Sequence, residues 1–280
     1  MRRAELRRMT VCALLGLVLL AAPAPVAVLP FTDNGKLVSL PVSAGGSPAR
    51  PFTLDSGASA SVIDSAAAAA LRMRAAGSKL GSGAGAGRVR FVLYRDVALA
   101  AGAARWTAPV MYGVSLRGAG TSRQEDGLLG YDLFARYVVD IDYAAHRLSL
   151  YEPSGFRYAG GGAAIPITIE KHVPHVAVTI KVRGRPAQVR RLLIDSGSED
   201  MVDDAIIATS TAPKQRIATS GLGRSVAAYA GPVEWVRIGP FTLRSLAGTS
   251  AGVPLIGSAV LRNFRVTFDY SRRTMYLTKR

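Results

Sequence analysis

Cysteine is all but missing from this chain of 280 residues: Cys12 is the only one, so no disulfide within the chain can brace the fold. Histidine numbers three, which leaves few places for imidazole chemistry. Lysine is scarce beside arginine, with 6 against 29, and the basic residues lie scattered with no run longer than two and no interleaved aromatics. That pattern gives nucleic-acid binding little support, despite a formal charge of +16. A composition of 49% apolar and 19% charged residues excludes general disorder and is enough to bury cores in one large or two small domains.

Positions 1–34 stand apart as a signal or anchor segment with its lead-in. Arg2, Arg3, Arg7 and Arg8 precede an apolar stretch from Val11 to Ala22, and Pro23, Pro25 and Pro30 follow. Charge followed by a short apolar core predicts export to the periplasm or the exterior. Ala22 and Ala24 are each followed by proline, which leaves Ala27 as the best cleavage position. An uncut segment serving as a membrane tether is the alternative, since Thr10 to Phe31 just suffices for a span if the prolines are tolerated. Cys12 falls inside the apolar core, and removal of positions 1–27 takes away four arginines and Glu5, leaving a charge of +13.

What the remainder contains is one plan written twice. Phe52-Thr53-Leu54-Asp55-Ser56-Gly57 is answered by Leu192-Leu193-Ile194-Asp195-Ser196-Gly197. Before each triplet, alternating apolar residues (Leu37 to Val42; Val176 to Val182), a glycine turn and a second apolar run predict a hairpin that ends in the acid. Glycines recur at one matched offset beyond each acid, from Gly81 to Gly87 and at Gly221-Leu222-Gly223. Gly83, Gly85, Gly221 and Gly223 are therefore expected at the tips of mobile hairpins. Leu128-Leu129-Gly130 and Leu255-Ile256-Gly257 then lead, over equal intervals without a gap, to Asp142-Tyr143 and Asp269-Tyr270. Asp142 and Asp269 read as structural turn residues, and Glu199 and Asp200 as groups that pair with arginines or face solvent.

Strand signals dominate both halves, so the fold class is all-β, with a short helix from Ser65 to Arg74 capped by Asp64. The lobes are placed at 35–153 and 164–280, joined by a Gly-rich linker at 154–163. Two acidic loops in two related lobes imply two carboxylates that meet.

These residues resemble the aspartic peptidases of the pepsin and retropepsin superfamily. Asp-Ser-Gly followed by two apolar residues and glycine is similar to the lobe motif of that family. The short spacing from acid to hairpin resembles the retroviral enzymes, fused here into one chain. The resemblance implies a bilobal acid-protease fold: two β-barrel-like lobes about a pseudo-twofold axis, with few helices. It implies that Asp55 and Asp195 are the catalytic pair, that Ser56 and Ser196 brace the opposite loop, and that Gly57 and Gly197 let the backbone approach. It further implies an exported monomeric endopeptidase acting on peptides or proteins without cofactor or metal. Ala58 supplies no hydroxyl beside Asp55 where Ser198 follows Asp195, so the lobes are not chemically equivalent. A peptide-binding protein that keeps the cleft without hydrolysis is the alternative.

Three other motifs are weighed against their context. Gly248-Thr249-Ser250-Ala251-Gly252 fits a nucleophile elbow, but Pro254 and a strand follow where a helix is needed, and no histidine lies downstream. Glu170, His172 and His175 straddle Pro174 without a metal-helix motif. The glycine clusters lack the lysine and hydroxyl of a phosphate loop.

Overall fold

The computed structural model describes residues 24–33, 37–83, 85–116, 125–219 and 222–280. The N-terminal arginines, the apolar stretch to Ala22 and Gly221 lie outside the described residues. The first half runs through β1 (Ala27–Pro30), β2 (Ser39–Ala44), β3 (Arg50–Leu54), β4 (Val62–Asp64), β5 (Gly77–Gly81), β6 (Val89–Ala101), β7 (Ala104–Val114), β8 (Gly127–Leu129), β9 (Val138–Asp142) and β10 (Arg147–Tyr151). The second runs through β11 (Ala163–Glu170), β12 (Val173–Lys181), β13 (Gln188–Asp195), β14 (Val202–Asp203), β15 (Gln215–Thr219), β16 (Val226–Ile238), β17 (Phe241–Thr249), β18 (Leu255–Gly257), β19 (Phe264–Asp269) and β20 (Thr274–Lys279).

Each half closes a six-stranded barrel. The order is β2-β3-β8-β4-β7-β6 in the first and β12-β13-β18-β14-β17-β16 in the second, with β2–β6 and β12–β16 pairings completing the rings. Strand for strand the two orders correspond, which is the all-β bilobal acid-protease architecture. Closure follows from the alternating pattern: β2 turns Leu40, Val42 and Ala44 inward, and β12 turns Val176, Val178 and Ile180 inward. An open sheet would leave edge groups unpaired. β5 and β15 lie outside the rings, as the outer arms of hairpins with β6 and β16.

A third layer ties the barrels together. β9 pairs with β19, from Ile141↔Val266 to Val139↔Phe268, so the two terminal hairpins merge into a sheet ordered β1-β10-β9-β19-β20-β11. Val139, Ile141, Val266 and Phe268 are fully buried on its inner face. On the other face Asp140 accepts from the Arg265 guanidinium and from the Thr267 hydroxyl at 2.8 Å. The 154–163 linker runs along this sheet, with Phe156 against Tyr151 and Tyr158 stacked on Tyr276 at 4.1 Å. Ala27 opens β1 and pairs with Leu150, so the lead-in that follows the apolar stretch is itself a strand of this sheet.

The helices are short. Asp64 caps α1 (Ser65–Ala70) by accepting from the amides of Ala66 and Ala67. The helix ends well before Arg74, because Arg72 takes a left-handed φ of 51°. Two further helices, α2 (Tyr131–Arg136) and α3 (Ser258–Leu261), follow the apolar-apolar-Gly segments. Elements of one or two turns are too short for a helical period to show in the sequence. As expected, Asp142 accepts from the amides of Ala144 and Ala145, and Asp269 accepts from Ser271 and Arg272, so both close hairpin turns.

Phe134 of α2 meets Phe268 of β19 edge to face at 5.4 Å, joining the first lobe to the last hairpin. Phe268→Ala removes a fully buried ring at that junction and is expected to lower the unfolding free energy by about 3–5 kcal/mol in a denaturant titration.

Candidate active site

The acids stand where two strands end. Asp55 follows β3, whose Leu54 pairs in parallel with Leu129 of β8, and the Asp55 amide donates to the Leu129 carbonyl at 2.9 Å. Asp195 ends β13 and pairs in parallel with Gly257 of β18. Each apolar-apolar-Gly segment therefore backs an acid loop, and the residue after it reinforces the support: Tyr131 N donates to Ala58 O at 3.0 Å and Ser258 N to Ser198 O at 2.9 Å.

Between the loops lies a reciprocal set of hydrogen bonds. The Ser56 hydroxyl donates to the Ile194 carbonyl at 2.7 Å and accepts from the Ser196 amide at 3.0 Å. In return the Ser196 hydroxyl donates to the Leu54 carbonyl at 2.9 Å and accepts from the Ser56 amide at 3.0 Å. Both serines are 1% exposed, so these four bonds form away from water. Each hydroxyl satisfies an amide and a carbonyl of the other lobe, and losing one strands two buried backbone groups.

Gly57 and Gly197 bring the carboxyls together. A Cβ on Gly57 would lie 2.6 Å from Cγ of Asp195, and one on Gly197 2.4 Å from Cγ of Asp55. No real Cβ tolerates such contacts, so any side chain here would push the opposite acid away. The Gly197 amide also donates to Oδ1 of Asp195 at 2.8 Å, which favours its ionised form. The structure thus places Asp55, Ser56, Gly57, Asp195, Ser196 and Gly197 in one cluster at the lobe interface.

The hairpin glycines form a second meeting point. Gly85 N donates to Leu222 O at 3.0 Å, while Ala86 and Arg224 exchange backbone bonds of 2.8 and 2.7 Å. Gly83 and Gly223 lie in the same contact, since a Cβ on Gly83 would fall 2.2 Å from the Leu222 carbonyl oxygen. The Leu222 side chain packs on a first-lobe cluster of Val62, Phe91, Val114, Leu116 and Leu128. The lobes touch at the acid loops and again at the hairpin tips.

Several residues escaped the sequence. The buried Asp132 carboxylate accepts from the Ser61 amide and hydroxyl (2.7 and 2.9 Å) and from the Trp106 indole (2.9 Å), and Ser61 in turn accepts from the Gly130 amide at 3.0 Å. Burial raises the Asp132 ionisation above the usual carboxylate range, against the pull of those donors. Nothing in the local sequence links positions so far apart. Asp200 corrects an expectation: it is half-buried and accepts from the Ser198 hydroxyl at 3.2 Å, with burial pushing its ionisation up. Glu199 is exposed, as expected.

The competing motifs do not assemble. Ser250 accepts from the Tyr229 amide at 3.0 Å at the end of β17. Glu170 is bound by Arg191, and His172 stacks on Tyr131 at 4.2 Å. Among the described residues no three potential ligands converge as a metal site.

Residues 40–133 match a family described as aspartyl proteases. No curated protein matches the chain. The match runs from β2 into α2, and with the bilobal fold it supports an aspartic peptidase of the pepsin and retropepsin clan. That match supports a general aspartic protease function.

The second lobe carries one further acid inside. Asp203 stands at the same offset from Asp195 as the buried Ile63 does from Asp55. Its carboxyl accepts from the Ala251 amide at 2.8 Å, and burial raises its ionisation to about 7. A raised carboxyl binds its proton more tightly in the folded state, so its contribution to stability is whole below about pH 4 and is lost as pH rises through 7. Asp203→Asn is expected to flatten this decline, by at most about 4 kcal/mol, in unfolding free energies measured from pH 4 to 8.

Proposed function

We propose that the protein is an exported aspartic endopeptidase in which Asp55 and Asp195 share one proton and activate a water between them. The observation that carries this reading is the reciprocal packing of Gly57 and Gly197 against the opposite carboxyls. Two carboxyls so close cannot both ionise freely: repulsion splits their titration, and over an acidic window one is charged and the other protonated. The ionised member takes a proton from water as the oxygen attacks the peptide carbonyl. The protonated member donates to the carbonyl oxygen, giving a neutral tetrahedral diol. Collapse returns a proton to the departing nitrogen, cleaves the C–N bond and restores the shared proton.

Hairpins that meet over the acid loops would cover an extended polypeptide, and the chain is read as a monomer because both halves of the site lie on it. The N-terminal segment directs it outside the cytoplasm. Cleavage after Ala27 would remove the first residue of β1, while an uncut segment would tether the lobes to a membrane. Cell fractionation with N-terminal sequencing checks this, and a full-length soluble cytoplasmic product would overturn it.

Amide replaces carboxyl at nearly equal volume, so Asp55→Asn and Asp195→Asn should each abolish peptide hydrolysis and leave the fold intact. Ser56→Ala or Ser196→Ala should lower activity less and cost about 1–3 kcal/mol of stability, because each removes a brace and no reacting group. Peptide-library digestion across pH, with circular dichroism of each variant, reads both effects. Wild-type cleavage rates in either Asn variant sink the shared-proton mechanism. Peptide binding by the wild type with no cleavage at any pH would establish a non-catalytic binding protein instead.

A further inference from the structure

Tyr270 stands at the same distance along the chain from Gly257 as Tyr143 does from Gly130, so the two tyrosines are counterparts in the duplicated plan. Both rings are buried, and neither hydroxyl has a hydrogen-bond partner among the described residues. Their surroundings differ. Tyr143 lies under the Arg262 guanidinium, 5.4 Å from the ring centre, with Asp33 as the other nearby charge. Tyr270 stacks on Phe134 at 5.2 Å, stands 6.3 Å from Phe268 and 6.2 Å from Tyr131, and its charged neighbours are Asp55 and Asp195.

Tyr131 links this ring to the acid loop, since its amide donates to Ala58, just beyond the Asp55 triplet. The titratable groups acting on the Tyr270 hydroxyl are therefore Asp55 and Asp195 from the two loops and Tyr131 from α2. Phe134 and Phe268 cover the ring without offering an acceptor, and His172 stacks on Tyr131. Burial first, and then the two acids, push the phenol well above its ordinary ionisation, so it remains a donor at every working pH. A buried donor without an acceptor carries its full desolvation penalty, and the negative charges that act on this one are the carboxylates of Asp55 and Asp195.

We propose that Tyr270 is a positioning residue for the acidic pair: its hydroxyl donates through one water toward Asp55 and Asp195, and so favours the ionised member. The inference rests on the endopeptidase reading of that pair. Hydrogen bonding to the charged form lowers the pKa at which it protonates. Tyr270 thus supplies, from beneath, a donor that Ala58 does not supply beside Asp55. Tyr143 has no such role, because its neighbouring charges belong to Arg262 and Asp33.

The test compares Tyr270→Phe with Tyr143→Phe, each of which keeps the ring and deletes only the hydroxyl. Carboxyl carbon NMR titration of the pair, assigned through Asp55→Asn and Asp195→Asn, reads protonation without requiring hydrolysis. In Tyr270→Phe the lower of the pair's two macroscopic pKa values should rise by about half to one unit, and the acidic limb of kcat/KM should move with it. Tyr143→Phe should overlay the wild type in both measurements. Identical titration of Tyr270→Phe and wild type overturns the proposal, and so does an equal shift in both phenylalanine variants. A shifted titration in a protein that hydrolyses nothing keeps Tyr270 as a positioning residue and discards the endopeptidase reading. Hydrolysis with an unshifted titration does the reverse.

Discussion

The exchange of hydrogen bonds between Ser56 and Ser196 is the constraint from which the rest of the molecule follows. Each hydroxyl serves the backbone of the opposite lobe, so neither loop has its buried groups satisfied unless the other is in place. The loops must consequently approach until only glycine fits at positions 57 and 197. Such an approach needs rigid backing, which the parallel pairings of β3 with β8 and of β13 with β18 provide. It also needs a common floor, and the β9–β19 junction supplies one by running a single sheet beneath both barrels.

Within this shared frame the halves have diverged where symmetry is not enforced. The first lobe ties Ser61, Trp106 and Asp132 into a buried polar network. At the offsets corresponding to Ser61 and Asp132 the second lobe has Met201 and Ala259, and it buries an acid at Asp203 where the first buries Ile63. Polar networks and apolar packing are alternative ways to fill the same place behind an acid loop. The network fixes direction through several donors to one carboxylate, whereas Met201 offers only its sulfur to the Ala247 amide at 3.3 Å and Ala259 has no polar side-chain atom.

Much of this could be read from the sequence because a pattern that recurs is checkable against itself. Asp55 and Asp195, their serines and glycines, and the paired apolar-apolar-Gly segments recur at fixed offsets, so each copy vouches for the other. The hairpins leading into the acids follow from period-two alternation. Less was legible where a residue acts through space. Asp132 is named by Ser61 and Trp106 only after the barrel closes, and Asp200 is turned toward Ser198 by a loop whose path the sequence does not state. Helices α2 and α3 went unseen because they span too few turns, and β1 because so brief a strand lies against the end of an apolar export-like stretch.

The backbone bridge between the hairpin tips has a topological consequence. With Gly85 and Ala86 bonded to Leu222 and Arg224, the two lobes are joined at one end of the site by the serine exchange and at the other by three backbone bonds among the described residues. In the endopeptidase proposed above, a polypeptide would enter by threading its free end past the tips or by parting them, and an internal loop of a folded protein only by parting them. The residues at the tips, in sequence far from either acid, would then set the rate of admission.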